Sequence, residues 1–154
     1  MGGGSWTSQA YTAYARDTKY QEKSLDDVFR GAKTFQETGR LRELLDPNGV
    51  VLRESRDSED NPNSTPIIFA LDVTGSMGHY AGEIAKTHLP TLMEKILDEK
   101  PITDPHIMFM GVDDVASSPD LAFQVSQFEA DIRILEQLRE LYLVGHGAGN
   151  KSES

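Results

Sequence analysis

Apolar residues along this chain fall into two patterns. The first is the short unbroken run. Ile67 to Leu71 leads into Asp72, and His106 to Val112 leads into Asp113 and Asp114. Runs of this length, bounded by Pro and Gly, read as buried strands, although pattern alone does not separate them from buried helix. Phe123 to Phe128 alternates instead, which predicts a third, half-exposed strand. The second pattern is the three- and four-residue step. Ala81, Ile84, Ala85, His88, Leu89, Leu92, Met93, Ile96 and Leu97 form one stripe, predicting a helix over Tyr80 to Lys100. Pro90 removes a backbone donor inside it, so a kink or break is expected near His88. His88 itself reads as a packed residue, and Met93, Met108 and Met110 as core. Ile132, Leu135, Leu138 and Leu141 predict a second helix over Asp131 to Tyr142.

The first 64 residues are different. Residues 1 to 23 are polar, Gly-rich at the front, and show no sustained period, which predicts a loosely docked tail. Ser24-Leu25-Asp26-Asp27 has the form of a capping box opening a short helix. Asp46-Pro47-Asn48-Gly49 is a turn signal, and Val50 to Arg53 reads as a short strand. Glu54 to Ser64 is a charged loop without an apolar residue. The chain therefore divides into a polar preamble, 1–64, partly disordered with short helices, and an α/β portion, 65–154. The order in the latter is strand, helix, strand, strand, helix, Gly-rich loop. That order predicts a three-layer α/β fold of Rossmann-like type: a mostly parallel central sheet with helices on both faces. Leu143-Val144 reads as the possible start of a further strand.

Charge narrows the partners. The net charge of −10 argues against a nucleic-acid or anionic-membrane partner, since both need a basic face. There is no cysteine, hence no disulfide or thiolate metal site. No secretory or myristoylation pattern opens the chain, and no run approaches the ~18 apolar residues of a membrane span. The expectation is a cytoplasmic protein.

The candidate chemistry sits where the first strand ends. Asp72, Thr74 and Ser76 are alternate residues on what reads as a tight turn, at the carboxyl edge where open α/β sheets bind ligands. One carboxylate and two hydroxyls form a hard-oxygen set suited to magnesium, calcium or manganese. A single carboxylate leaves a divalent ion electrophilic, able to take a further carboxylate from outside. Asp113 and Asp114 end the second strand. The preferred reading of the pair is a solvated loop start; the alternative is that one of these acids, with Asp114 as the candidate, orients a metal-bound water.

At these residues the chain resembles the von Willebrand factor A domain, whose metal-ion-dependent adhesion site opens with Asp-x-Ser-x-Ser. Thr74 stands for the first Ser and keeps its hydroxyl. The resemblance covers roughly Pro66 to Asn150. It implies a third strand that is an antiparallel edge strand, and a magnesium-dependent contact with an acidic residue of a protein partner. Intracellular members often serve as adaptors, some for ATPase chaperones, so the resemblance implies a partner of that class. The family supplies a Thr from the loop after its second long helix. Here Asn150 or Ser152 occupies that place, and Asn150 offers a carbonyl oxygen. The family's further acid, after a fourth strand, has no counterpart, which implies a domain incomplete at its C-terminus.

Two other readings compete. In the first, Ser76 caps a helix and Gly75 is a turn residue. In the second, Asp-x-Thr-Gly-Ser resembles the nucleophile motif of haloacid-dehalogenase-type phosphotransferases, with Asp72 as nucleophile. Val73 stands where the ATPase branch of that family has Lys, and no strand pair separates the motif from the first helix. Gly145, Gly147 and Gly149 lack the Lys-Ser/Thr of a phosphate loop and read as a flexible turn. The binding-module reading, with no catalytic residues, is therefore preferred.

Overall fold

The computed structural model describes residues 4–41, 43–77, 79–116 and 119–143. Three helices come first: α1 (Ser8–Thr18), α2 (Leu25–Val28) and α3 (Gly31–Thr38). Strand β1 (Thr65–Asp72) is next, then a 3-10 turn at Gly75–Met77 and helix α4 (His79–Glu83). A π turn at Ile84–His88 joins α4 to α5 (Leu89–Glu99). Strands β2 (Pro105–Val112) and β3 (Phe123–Val125) precede α6 (Arg133–Leu138). The fold is mixed α/β. Its sheet has three strands in the order β1-β2-β3, with β1 parallel to β2 and β3 antiparallel to it. Parallel neighbours need a long crossover, which the α4–α5 segment supplies.

The expected break near Pro90 is a change of ladder. Proline cannot donate, and its ring crowds the carbonyl one turn back. The helix responds by widening: Leu89 N–H bonds the Ile84 carbonyl, five residues back. A residue added to one turn rotates the next turns by about 100°. This shift accompanies a correction: His88, expected in the core, is exposed. Helix α5 then stops at Lys100, which adopts a left-handed conformation (φ 45°) and donates its N–H to the Ile96 carbonyl before Pro101.

One continuous core lies against the sheet. Ile107 and Phe109 of β2 meet Met93 and Leu97 of α5 and Ile134, Leu135 and Leu138 of α6. Full burial of each such side chain stabilises by about 1.5–3 kcal/mol. Ile67, Phe69 and Leu71 of β1 turn to the same core, while Ile68 and Ala70 between them, and Pro66 before them, are exposed. Met93 and Met108 are core residues as expected, and Met110 is half-buried.

The N-terminal segment is docked, unlike the loose tail expected for it. Trp6, Tyr11 and Tyr20 belong to the main core. Thr7 caps α1 by accepting the Ala10 N–H, and the Tyr11 and Tyr20 hydroxyls bond each other at 3.0 Å. Ser8 bonds Asp98 of α5, tying the segment to a helix 90 residues away.

Four further expectations change. Val50–Arg53 is not a strand; Val51 is 99% exposed. Helix α6 is shorter than Asp131–Tyr142, because the chain tightens after Leu138 into three-residue bonds, Glu140 N–H to Gln137 and Leu141 N–H to Leu138. Strand β3 is also short, and its burial does not alternate: Gln124, Val125, Ser126 and Phe128 are all buried, and Phe123 is exposed. The register explains Ser126. Met110 pairs with Val125, but Ile107 pairs with Glu129, one residue out of step. This is a bulge, and Ser126 mends it: its N–H donates to the Phe109 carbonyl and its Oγ accepts the Phe109 N–H. The possible strand start at Leu143 is not a strand, and Val144 lies outside the described residues. Among the described residues no helix is long and apolar enough to cross a membrane.

Candidate functional site

The carboxyl ends of β1 and β2 lie side by side, because Asp72 is in register with Val112. Pairing runs one residue further, with Val73 N–H donating to the Val112 carbonyl at 2.9 Å. Leu71 and Val73 are buried, and the alternation of the strand leaves Asp72 between them exposed. The chain then turns sharply. Thr74 N–H donates to Asp72 Oδ1 at 2.9 Å, and Met77 N–H returns to the Thr74 carbonyl at 3.1 Å. Thr74 Oγ1 and Ser76 Oγ lie 3.0 Å apart in a mutual hydrogen bond.

The structure thus brings together Asp72, Thr74 and Ser76 on one turn. Ser76 lies inside the 3-10 turn, and its hydroxyl faces Thr74. The turn is locally encoded. An Asp that bonds the N–H two residues on, followed by Thr-Gly-Ser, favours this reversal without help from distant residues.

The end of β2 adds two acids. Asp113 N–H donates to the Ala122 carbonyl at 2.8 Å, which turns the chain towards β3. Both acids are buried, Asp113 at 4% and Asp114 at 5% exposure, against the preferred reading of a solvated loop start. Asp114, the candidate of the two for the site, accepts the Ala116 N–H at 2.9 Å. Asp113 accepts the Asp114 N–H through Oδ1 at 2.7 Å, and its Oδ2 has no hydrogen-bond partner among the described residues. Burial pushes the Asp113 carboxyl above the usual range; the Asp114 N–H offsets part of this, and the charges of Asp114 and Asp72 push it up again. Sequence reasoning favoured Asp114 at this edge; that Asp113 is the acid with a buried, unpartnered oxygen among the described residues depends on how the chain leaves β2, which spacing does not reveal. Asn150 and the Gly-rich loop lie outside the described residues.

The set at the turn is one carboxylate and two hydroxyls. Among the described residues no three His, Cys, Asp or Glu side chains come together to hold a metal. Any cation here is held by mixed oxygen donors, the chemistry of magnesium, manganese and calcium. Comparisons with protein-family models, curated proteins and solved structures found no match to this chain.

Proposed function

We propose that this chain is a metal-dependent protein-binding module of the von Willebrand factor A type, with the three-layer sheet architecture of that family. It holds Mg2+, or Mn2+ or Ca2+, at Asp72, Thr74 and Ser76, and engages an acidic residue of a protein partner. The observation that carries this reading is the convergence of one carboxylate with two mutually bonded hydroxyls on a single turn, at the carboxyl end of a parallel strand pair. The order β1-β2-β3, with β3 antiparallel, supports it further.

Each residue has a task. Asp72 is oriented by the Thr74 N–H, so its carboxylate needs no search when a cation arrives. Thr74 and Ser76 share one hydrogen bond, and each hydroxyl oxygen keeps a lone pair for a cation. Asn150 is the candidate for a carbonyl ligand from the Gly-rich loop. The bound ion supplies a coordination position for the partner's carboxylate. A partner of the ATPase-chaperone class rests on the family resemblance alone.

Three ligands leave magnesium mostly hydrated, so affinity in the absence of a partner is expected at about the millimolar level. Calorimetric titration with Mg2+ and Mn2+, in the wild type and in Asp72→Ala, tests the reading. Binding heat in the wild type that disappears in the variant is the expected result, and equal heats in both remove the metal claim. Turnover of a generic phosphate ester that depends on Asp72 would favour the phosphotransferase instead.

A further inference from the structure

We propose that Asp113 completes the cation site opened by Asp72, Thr74 and Ser76, its unpartnered carboxylate oxygen taking the ion directly or through one bound water. This rests on the metal-dependent reading and adds to it a ligand from the neighbouring strand.

The argument begins with the sheet. β1 and β2 run parallel and in register, so the residues immediately after Asp72 and Val112 emerge together at one edge. Asp113 is the first residue beyond β2. Asp113 is 4% exposed, with Oδ1 committed to the Asp114 N–H and Oδ2 buried without a hydrogen-bond partner among the described residues. A buried carboxylate oxygen without a partner is costly, and native folds rarely leave one without a structural or functional reason. No Lys, Arg or His forms an ion pair with Asp72 or Asp113 among the described residues. Asp72 and Asp113 therefore share this edge with no ion-pair partner among the described residues. A divalent cation removes both defects together: it supplies the missing partner to Oδ2 and the missing positive charge to the edge. Asp114 differs, because its Oδ1 is used locally to turn the chain at Ala116.

Asp113→Asn separates this role from a structural one. The amide keeps an acceptor for the Asp114 N–H and removes the unpaired charge. The metal-free variant is therefore expected to melt at or above the temperature of the metal-free wild type. Its Mg2+ affinity is expected to fall by about 10- to 100-fold, the usual loss when a supporting metal-site group is removed. Asp17→Asn, on exposed α1 and away from the strand ends, is the control, expected within about twofold of wild type. A second measurement needs no variant. In the uniformly labelled wild-type chain, the carboxylate carbon resonances of Asp72 and Asp113 should shift with a common Mg2+ midpoint.

The outcomes are distinct. Loss of the Mg2+ response in Asp72→Ala but not in Asp113→Asn, with an unmoved Asp113 resonance, overturns the inference and leaves the metal-dependent module standing. A wild type that binds neither Mg2+ nor Mn2+ overturns both. A metal-free Asp113→Asn that melts well below wild type while retaining wild-type Mg2+ affinity assigns Asp113 to the scaffold and likewise overturns the inference.

Discussion

Gln124 and Tyr142 exchange two hydrogen bonds: Gln124 Nε2 donates to the Tyr142 carbonyl and Gln124 Oε1 accepts the Tyr142 N–H, both at 2.9 Å. A fully buried side chain thus does the work of a strand, satisfying the backbone of the segment after α6. Gln124→Leu keeps the volume and deletes both bonds. It is expected to destabilise the fold by about 2–3 kcal/mol, since each stranded group costs about 1–3 kcal/mol and half-buried Tyr142 recovers part through water. Urea unfolding followed by circular dichroism measures this as a lowered midpoint at unchanged slope.

Gly31 opens α3 against the same segment. A Cβ there would meet the Glu140 carbonyl oxygen, Leu141 C and Tyr142 N, each at 2.5 Å. All three are backbone atoms, which cannot swing aside as a side chain can. Gly31→Ala should cost at least the ~1–3 kcal/mol typical of overpacking, despite alanine's better helix propensity. Gly39→Ala tests the contrast: nothing lies within 4 Å, so its cost comes only from the left-handed backbone (φ 69°). Thermal unfolding of the two variants should rank Gly31→Ala as the more damaging.

His106 begins β2 fully buried, with Nδ1 bonded to Ser55 Oγ at 2.8 Å and Nε2 without a partner. Burial pushes its pKa below the ordinary value of about 6.5, while Asp104 and Asp57 pull in the opposite direction. The unfolded chain therefore binds a proton more readily than the folded one. The resulting stability is fully present above about pH 6.5 and is lost as pH falls from there towards the folded value. His106→Gln should flatten this part of the stability–pH curve. The raised carboxyls of Glu129 and Asp113 act in the opposite sense, so the difference between wild type and variant isolates the imidazole. Identical curves would remove His106 as the cause.

Strand β1 pairs only with β2 among the described residues, and Ile68 on its outer face is 52% exposed. No charge interrupts Thr65 to Leu71, and charge is the usual protection of a free edge. The 154-residue chain is expected to self-associate as concentration rises. Sedimentation velocity should show this, and Ile68→Lys should reduce it. A wild type that stays a clean monomer at high concentration, with a sharp unfolding transition, refutes the expectation.

What the sequence determined by itself are the features whose causes lie within a few residues. The apolar runs ending at Asp72 and Val112 are strands, and the stripe from Ala81 to Leu97 is helical. Ser24 caps α2 by accepting the Asp27 N–H, and Asp46 turns the chain by accepting the Asn48 N–H. The turn holding Asp72, Thr74 and Ser76 belongs to the same class: its bonds span two or three residues. Tertiary structure alone decided the rest. Trp6 and Tyr11 are buried because distant helices cover them, and Gln124 is buried because Tyr142, 18 residues on, needs both ends of its amide. The two acids after β2 look alike in sequence, yet Asp114 turns the chain at Ala116 while Asp113 keeps a buried carboxylate oxygen without a hydrogen-bond partner among the described residues. The physical reason is range. Periodicity and capping report which local conformation a segment prefers, whereas burial, strand edges and unpartnered charges depend on which segments meet.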